Sequence, residues 1–158
     1  MFLGNIFPDF GLHGAGLFLQ NSGWHLKPPI DYKVHPKLGY ERKLSLLLYL
    51  TSDWKQEYCG DLRFYANDSG KPAYDNSVTI TPEFNSMVIF ECTDSSWHGV
   101  DKISCPVDVS RKAIGLFYLQ DNGSTNGRSK ATYAPQKDQL DDPEIQELIK
   151  IREKKRLG

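Results

Sequence analysis

The amino-acid sequence predicts an all-β domain of the sandwich or jelly-roll type that ends in one helix. Aromatic residues make up 12% of the chain and occur in segments rich in β-branched residues, which favours strands. Short apolar segments alternate with turn signals such as Asn21-Ser22-Gly23, a spacing typical of antiparallel sandwiches. The 158 residues suffice for one domain with its own hydrophobic core.

Seven or eight short strands are predicted between residue 17 and residue 119. They cover residues 17–20, 24–32, 43–51, 61–65, 78–81, 87–92 and 113–119. The run 43–51 (KLSLLLYLT) is almost entirely apolar. Its length favours a strand that is buried on both faces, although a helix remains an alternative. Residues 66–76, which contain Asn, Asp, Gly and Pro, are predicted to be a surface turn region.

The composition changes after a Gly/Asn/Ser-rich loop at 121–128. Asp142 is a candidate N-cap, and Pro143 suits the first position of a helix. Apolar residues follow at helical spacing for about two turns, and basic residues close the segment. We therefore expect a double layer of strands over 1–128 and a C-terminal extension over 129–158 whose helix packs on the same domain through its first half.

Composition and charge exclude several classes of protein. The net charge of −1 with 25% charged residues gives no basic field for nucleic acid or for an anionic membrane. No apolar run approaches the length of a membrane span, and the N-terminus lacks the regions of a signal peptide. Three cysteines, an odd number without a metal-type pair, argue against a disulfide framework. We expect a cytoplasmic protein.

Three of the four histidines lie close to one carboxylate in the sequence. His13, His25 and His35 flank Asp31 on its two sides, so a local metal cluster is the first hypothesis. The fourth, His98, lies on a short segment between two predicted strands.

A jelly roll also brings distant strands side by side, which suggests a second grouping. Asp31, His98 and Arg111 can converge at one mouth of the barrel. An Asp and a His can each hold one position on Fe(II) and leave open positions for other ligands. An Arg on the last core strand can clamp a distal carboxylate with two parallel hydrogen bonds.

An ordered series of motifs points to a family. The motifs are Asp31-Tyr32, the run 42–50 (RKLSLLLYL), Trp54, Gly60-Asp61-Leu62, the run 82–90 (PEFNSMVIF), Trp97-His98 and the run 110–114 (SRKAI). In order and spacing, over roughly residues 11 to 120, the chain resembles the prolyl-hydroxylase-like branch of the 2-oxoglutarate and Fe(II)-dependent dioxygenases.

The resemblance implies a fold and a chemistry. The fold is a double-stranded β-helix, a cupin-like jelly roll, here with a C-terminal helix and few N-terminal helices. The cofactor is Fe(II), with ascorbate as a further candidate. The co-substrates are 2-oxoglutarate and O₂, which give succinate and CO₂ while a C–H bond of a prolyl or other amino-acid substrate is hydroxylated.

The resemblance also implies roles for individual residues. Asp31 and His98 correspond to iron ligands, and Arg111 to the partner of the far carboxylate of 2-oxoglutarate. Tyr49 would donate its hydroxyl to that same carboxylate. Two neighbours of the ligands, Tyr32 and Trp97, would shape the pocket.

One position departs from the family. A His two residues before Asp31 should complete the iron site, but that position is Pro29, which cannot bind a metal. Two histidines are candidate substitutes: His25, which would need the chain to fold back, and His35, which lies on a closer loop. The sequence therefore leaves two further functions open beside the oxygenase: an inactive relative that serves as a binding module, and a cupin-like metal protein with other ligands.

A second departure concerns the start of the chain. Relatives usually have helices before the barrel that cover its outer sheet, whereas here the chain begins shortly before the first predicted strand at 17–20. We therefore expect an apolar sheet face that needs a cover, for which a homodimer contact or an additional segment are the alternatives.

Overall fold

The computed structural model describes residues 5–122, 131–135 and 137–157, with side chains described as far as residue 151 except that of Asp138. These ranges contain ten strands and one α-helix, besides 3-10 turns at Gln56–Tyr58 and Lys137–Gln139. The strands are β1 (Ile6–Pro8), β2 (Gly16–Gln20), β3 (Pro29–Ile30), β4 (Glu41–Tyr49), β5 (Leu62–Asp68), β6 (Lys71–Ile80), β7 (Met87–Glu91), β8 (His98–Val100), β9 (Arg111–Gln120) and β10 (Thr132–Tyr133), and the helix is α1 (Pro143–Leu157).

Two antiparallel sheets face each other. The larger has the order β1-β9-β4-β7 with β2 also paired to β9, and the smaller has the order β6-β5-β8. Phe64 of the smaller sheet meets Phe90 of the larger, with ring centroids 5.0 Å apart. This is the double-stranded β-helix that the sequence predicts. Because most neighbours in the sheets are distant in sequence, the fold can bring separated motifs together.

Alternation along β4 and β9 divides the larger sheet into two different faces. Tyr49, Ser45 and Arg111 point inward and are buried. Leu44, Leu46 and Leu48 point outward and are only half-buried. The prediction that the leucine-rich run is buried on both faces is therefore wrong, because only its inner face meets the second sheet.

The region 66–76 forms a hairpin rather than the predicted surface turn region. Strand β5 continues to Asp68, and β6 begins at Lys71 and runs for ten residues. The connection is a two-residue turn in which Ser69 and Gly70 have φ of 49° and 84°. Two positive φ values in a two-residue hairpin turn match the right-handed twist of the flanking strands, so polar residues here extend the strands.

The predicted strand 24–32 is mostly irregular. Leu26 forms an isolated bridge with Val100, and regular pairing is confined to the short β3. Pro28 and Pro29 lie in this region, and a proline has no backbone N–H to donate to the hydrogen bonds between strands.

The C-terminal extension is tied to β3. Pro29 lies opposite Tyr133 and Ile30 opposite Thr132 in the β3–β10 pair. The amide of Ala134 donates to the carbonyl of Pro28 over 2.9 Å. Residues 123–130, including most of the loop predicted at 121–128, lie outside the described residues.

Helix α1 begins where the sequence predicts. Asp142 Oδ1 accepts hydrogen bonds from the amides of Glu144 and Ile145 at 2.9 and 3.3 Å, which confirms the N-cap. Of the apolar residues, Ile149 is half-buried and Leu148 is 52% exposed. The side chains of the basic end of α1 are outside the described part. None of the helices in the described ranges is long and apolar enough to cross a membrane.

Candidate functional site

Arg111 begins β9 and points into the interior between the sheets. Its side chain is buried, with 2% exposure. Because β2 and β9 pair with Gln20 opposite Arg111, the amide oxygen of Gln20 accepts a hydrogen bond of 2.6 Å from Nη1. Nε and Nη2 of Arg111 are also buried and have no hydrogen-bond partner among the described residues. One edge of the guanidinium is therefore held in place, and the remaining donors are available.

Tyr49 ends β4 beside this guanidinium. The Arg111 Cζ atom lies 4.9 Å from the centroid of the Tyr49 ring. Tyr49 is 1% exposed, and its hydroxyl has no aligned partner within the described ranges. Burial raises the pKa of the Tyr49 phenol, which the neighbouring Arg111 cation partly offsets. The phenol therefore stays protonated at neutral pH and can donate.

The unpaired donors around Arg111 fit a carboxylate. Burial lowers the pKa of the Arg111 guanidinium, an effect that Tyr49 and Asp61 oppose. A buried charge is costly unless it is paired, and an arginine edge with two free N–H groups matches the two oxygens of a carboxylate. A dicarboxylate such as 2-oxoglutarate has the group that would satisfy Arg111 and Tyr49 together.

His98 begins β8 and lies near Asp31, so residues 67 positions apart in sequence meet in the fold. Its Nδ1 lies 3.0 Å from the carbonyl oxygen of Ser96. Since a carbonyl only accepts, Nδ1 carries the proton in this contact. Nε2 of His98 then presents a lone pair, and it lies 3.9 Å from Oδ2 of Asp31. The ring is 6% exposed in the chain and packs against Phe90 with centroids 4.9 Å apart.

Asp31 and His98 fit part of a metal site. Nε2 of His98 and Oδ2 of Asp31 lie 3.9 Å apart, so a cation placed between them would contact both groups. A histidine that donates its other N–H to a carbonyl is the common arrangement for a metal ligand. Fe(II) accepts this mixture of nitrogen and oxygen ligands.

The third family position does not contribute a ligand. Pro29 is buried in β3 and has no group that can bind a metal. The described ranges contain no cluster of three or more His, Cys, Asp or Glu side chains arranged to hold a metal ion. Neither His25 nor His35 therefore forms a three-ligand group with Asp31 and His98.

His35 has other partners. Its Nδ1 accepts hydrogen bonds from the amides of Lys37 and Leu38 at 3.2 and 3.1 Å, and its Nε2 lies 3.4 Å from Oδ2 of Asp9. These contacts stabilise the turn that follows it. His25 lies with its Nδ1 3.3 Å from the carbonyl oxygen of Gly23.

Tyr32 and Arg42 form a layer next to Asp31. The Arg42 Cζ atom lies 3.6 Å from the ring centroid of Tyr32 and 3.4 Å from that of Phe117. Arg42 is 2% exposed, and burial lowers its pKa to about 10, while Asp31 acts to raise it. Arg42 therefore places a buried positive charge in the surroundings of the Asp31 carboxylate.

Trp97 directly precedes His98, the first residue of β8. It packs with Ile30, Ala134 and Tyr65, and its Nε1 donates to Oδ1 of Asn67 over 3.0 Å. It also lines a cavity of about 740 Å³ between the β5–β6 hairpin and α1. The described contacts of Trp97 are with this cluster and cavity, and its expected role in the pocket of His98 stays a prediction.

Sequence reasoning did not identify Gln20 and Arg42. Gln20 occupies an inward position on β2, between the outward residues Leu19 and Asn21. A polar residue that alternates with leucines along a predicted strand indicates that the polar side chain points to the other face of the sheet. Arg42 is a charged residue near the start of the apolar strand β4, and this position is also a sequence signal. Its stacking partners, Tyr32 and Phe117, could not be predicted because they come from other segments of the chain.

Comparison with known proteins places these residues in a family. A family model described as the 2OG-Fe(II) oxygenase superfamily matches residues 16–140. Prolyl 3,4-dihydroxylase OGFOD1 of Ostreococcus tauri is 33% identical over 108 residues, which is 65% of this chain and 20% of that protein. Prolyl 3-hydroxylase OGFOD1 of Mus musculus is 28% identical over 109 residues, 61% of this chain and 20% of that protein. The chain thus spans about a fifth of the length of these curated relatives.

Two solved structures of prolyl hydroxylases are also similar to this chain. A prolyl-4-hydroxylase of Pseudomonas putida has a TM-score of 0.48 and 18% identity, covering 67% of this chain and 50% of that one. A prolyl hydroxylase of Trichoplax adhaerens, in complex with a peptide fragment of hypoxia inducible factor, has a TM-score of 0.44 and 24% identity, covering 64% and 40%. From the family match over residues 16–140, the chain belongs to the 2OG-Fe(II) oxygenase superfamily, and it is prolyl-hydroxylase-like.

Proposed function

We propose that this chain is an Fe(II)- and 2-oxoglutarate-dependent oxygenase that hydroxylates a C–H bond of a prolyl or other amino-acid substrate. The observation that carries the proposal is the buried guanidinium of Arg111, whose Nε and Nη2 have no partner among the described residues, beside the buried hydroxyl of Tyr49. An inactive scaffold has no physical reason to retain a buried, unpaired cation, because leaving it unpaired costs stability.

Each residue has a distinct task in the proposed reaction. Arg111, oriented by Gln20, binds the far carboxylate of 2-oxoglutarate, and Tyr49 donates a hydrogen bond to the same group. Asp31 and His98 hold the iron. When bound, iron supplies the oxidative decarboxylation of 2-oxoglutarate by O₂ to succinate and CO₂, with transfer of one oxygen atom to the substrate. Ascorbate as a further cofactor stays a prediction.

The substrate class comes from the relatives. The curated relatives are prolyl hydroxylases by name, and one similar structure contains a peptide. These similarities support a peptide or amino-acid substrate for this chain.

Pro29 favours a second candidate function, a binding module that holds 2-oxoglutarate without turning it over. With two protein ligands in place of three, iron affinity should fall, although 2-oxoglutarate bound through two of its own oxygens would supply part of the coordination. The carboxylate clamp, formed by Arg111 with Gln20 and Tyr49, does not involve Pro29 and is part of both candidate functions.

Anaerobic titration with Fe(II) and 2-oxoglutarate separates the two functions. For the oxygenase we expect the metal-to-ligand charge-transfer absorption of 2-oxoglutarate bound to Fe(II), followed by succinate and CO₂ formation when O₂ is admitted. Calorimetric binding of 2-oxoglutarate without that absorption and without decarboxylation would support the binding module.

A matched control protects this experiment against indirect effects. Asp31→Asn keeps the size of the side chain and removes a charge from the proposed iron site, so it should abolish the absorption while calorimetry still detects the dicarboxylate at the clamp. If neither iron nor 2-oxoglutarate binds to the wild-type chain, both proposals are wrong.

A further inference from the structure

Asp9 is a buried carboxylate that has no part in the proposed reaction as described so far. It follows β1 directly, and its amide donates to the carbonyl of Phe117 in β9 over 2.8 Å. The residue is 2% exposed and its side chain 0%. A fully buried aspartate is rare in proteins and is costly unless its oxygens accept hydrogen bonds. The partners of the Asp9 side chain therefore indicate what the residue does.

The Asp9 carboxylate fixes the loop between β1 and β2. Its Oδ1 accepts a hydrogen bond from the amide of Gly11 and its Oδ2 one from the amide of His13, both at 3.0 Å. Between these two amides, Leu12 has a φ of 50°. This value lies in the left-handed region, which a bulky residue rarely adopts because it costs free energy. The carboxylate therefore holds the loop in a conformation that Leu12 disfavours.

His35 connects this loop to the segment that follows β3. Because its Nδ1 accepts hydrogen bonds from two backbone amides, its Nε2 carries the proton of the ring. Nε2 lies 3.4 Å from Oδ2 of Asp9, and both side chains are buried. The rings of His13 and His35 also pack together, with centroids 5.0 Å apart. The loop that Asp9 fixes is therefore packed against a second segment of the chain.

The fixed loop presents one carbonyl group to the residues beside Asp31. The carbonyl oxygen of His13 accepts a hydrogen bond from the hydroxyl of Tyr32 at 3.1 Å and another from Nη2 of Arg42 at 3.0 Å. The amide of the same residue is the one that Oδ2 of Asp9 holds. His13 therefore links the Asp9 carboxylate to both Tyr32 and Arg42.

Tyr32 and Arg42 determine the surroundings of Asp31. Tyr32 follows Asp31 directly in the chain, and the guanidinium of Arg42 stacks on the Tyr32 ring. Arg42 is a buried cation, and its charge interacts favourably with those of Asp31 and Asp9. Movement of Tyr32 or Arg42 would therefore change both the position of the Asp31 carboxylate and the charge around it.

We propose that Asp9 is a positioning residue for the iron site, because its carboxylate holds Asp31 in place through His13. This inference rests on the proposed function, in which Asp31 and His98 bind Fe(II). Groups that orient metal ligands contribute about tenfold to a hundredfold to metal affinity. With Pro29 in the place of a third ligand, the affinity depends on two side chains, and their preorganisation avoids the cost of ordering them on binding.

Anaerobic calorimetry with Fe(II) tests the role of Asp9. In Asp9→Asn, an NH₂ donor replaces one of the two acceptor oxygens, so the amide of Gly11 or that of His13 loses its partner. We expect Fe(II) affinity to fall roughly tenfold, the lower end for groups that orient metal ligands. Binding of 2-oxoglutarate to the metal-free chain should stay unchanged, because the Arg111 clamp does not involve this loop.

Thr51→Val is the matched control for a loss of stability alone. Thr51 is 8% exposed, and its hydroxyl donates to the carbonyl of Ser110 at 2.9 Å and accepts from the amide of Lys112 at 2.7 Å. It is thus a buried side chain that, like Asp9, bonds to the backbone, but at the Arg111 end. The variant should lower the midpoint of chemical denaturation and leave Fe(II) affinity unchanged. Equal losses of Fe(II) affinity in the two variants overturn the proposal.

A double-variant cycle tests the route through Tyr32. Tyr32→Phe keeps the ring and removes its hydrogen bond to the carbonyl of His13, so it should also weaken Fe(II) binding. If Asp9 acts through this hydrogen bond, Asp9→Asn combined with Tyr32→Phe should lose less Fe(II) affinity than the sum of the two single losses in free energy. Additive losses mean that Asp9 acts on stability alone, and they overturn the proposal.

The same measurements separate this inference from the proposed function. A wild-type chain that binds no Fe(II) overturns both. If the wild type binds Fe(II) and the folded Asp9→Asn variant binds it equally well, the positioning role is wrong and the proposed function stands. If Asp9→Asn does not fold, Tyr32→Phe alone must weaken Fe(II) binding for the proposal to stand.

Discussion

The two ends of the candidate site differ in how completely the protein prepares them. At the Arg111 end, a buried cation is oriented by Gln20 at 2.6 Å and accompanied by a buried phenol. At the Asp31 end, a carboxylate and an imidazole lie 3.9 Å apart, and Pro29 occupies the position of a third ligand. In the proposed function, the end that binds the co-substrate (Arg111, Tyr49 and Gln20) is thus built in full from the protein, whereas the end that binds the metal (Asp31 and His98) provides two side chains.

From this difference we expect that 2-oxoglutarate binding and Fe(II) binding can be separated in this chain. The Arg111 clamp is preorganised by strand pairing and needs no metal to form. The Asp31–His98 pair depends on β3, a two-residue strand held by the C-terminal extension. Variants at each end should therefore affect different ligands.

The largest effect is expected for Arg111→Leu. It removes two donors to the carboxylate, each worth about 1.5–3 kcal/mol for a charged group, so 2-oxoglutarate binding should weaken roughly a hundredfold or more. Isothermal titration calorimetry under anaerobic conditions measures this. Arg63→Leu is the control, because Arg63 pairs with Asp101 at 2.6 Å in a partly exposed position; equal losses in the two variants would refute the clamp.

Pro29→His should increase the affinity of the Asp31–His98 site for Fe(II). A histidine here would supply the missing ligand type, so Fe(II) affinity should rise roughly tenfold or more, or about 1.4 kcal/mol. Binding of 2-oxoglutarate to the metal-free chain should stay unchanged. Pro29→Leu makes a similar backbone change without a ligand, and a gain of iron affinity in that variant as well would show that backbone freedom, not coordination, is responsible.

Gln20→Leu should weaken the co-substrate end without reaching the metal end. Arg111 Nη1 loses its acceptor, and the net value of such a hydrogen bond is about 1–2 kcal/mol. We expect 2-oxoglutarate affinity to fall roughly fivefold to thirtyfold and Fe(II) affinity to stay the same. A parallel fall in both affinities would mean that the two ends are coupled through β2.

The smallest effect is expected for Tyr74→Phe, which loosens the extension that holds β3. The Tyr74 hydroxyl donates to the carbonyl of Pro135, so its loss should cost about 1 kcal/mol in the free energy of unfolding. Chemical denaturation measures that cost, and proteolysis should cleave the extension faster. A variant as stable and as protease-resistant as wild type would show that this bond does not hold the extension.

The phenol of Tyr74 also makes the stability of the folded state depend on pH. Burial raises the pKa of Tyr74 from 10.0 to about 12. Because the folded state retains this proton more tightly than the unfolded state, the stabilisation is complete below about pH 10 and is lost as pH rises toward 12. The free energy of unfolding of the wild type should therefore fall over this pH range relative to that of Tyr74→Phe. If the free energy of unfolding depends on pH in the same way in both proteins, the raised pKa of Tyr74 is contradicted.

Local composition was sufficient to predict most strands and the start of the helix. The β-branched and aromatic runs of β7 and β9 and the Asp142 cap are signals contained within a few residues. The prediction of a surface turn region at 66–76 was wrong because it rested on polar residues. The tight turn at Ser69 and Gly70 joins two strands, and Asn, Asp and Lys occupy exposed positions in them. The half-burial of Leu46 depends on what lies over the sheet, which local sequence does not encode.

The candidate site shows the same limit. The predicted jelly-roll topology and the ordered resemblance to a family were both needed to group Asp31 with His98, because their contact depends on the path of distant strands. The contact of Gln20 with Arg111 depends on the register between β2 and β9, which neither segment specifies alone. Trp97 is predicted to shape the pocket because it adjoins His98 in sequence, whereas its packing with Ile30 and Ala134 depends on how the C-terminal extension meets β3.

The β3–β10 pair has a consequence for the order of folding. Its partners are about 100 residues apart in the chain, and closing a loop of that length carries a large entropic cost before two short ladder contacts can offset it. The β2–β9 and β4–β9 pairs of the larger sheet join partners fewer than 100 residues apart through five and eight paired positions. These pairs should therefore form first, with Asp31 fixed late. During synthesis, the strand before Asp31 cannot gain its final neighbour until residues 132 and 133 have left the ribosome, so the metal end of the site is completed after the co-substrate end.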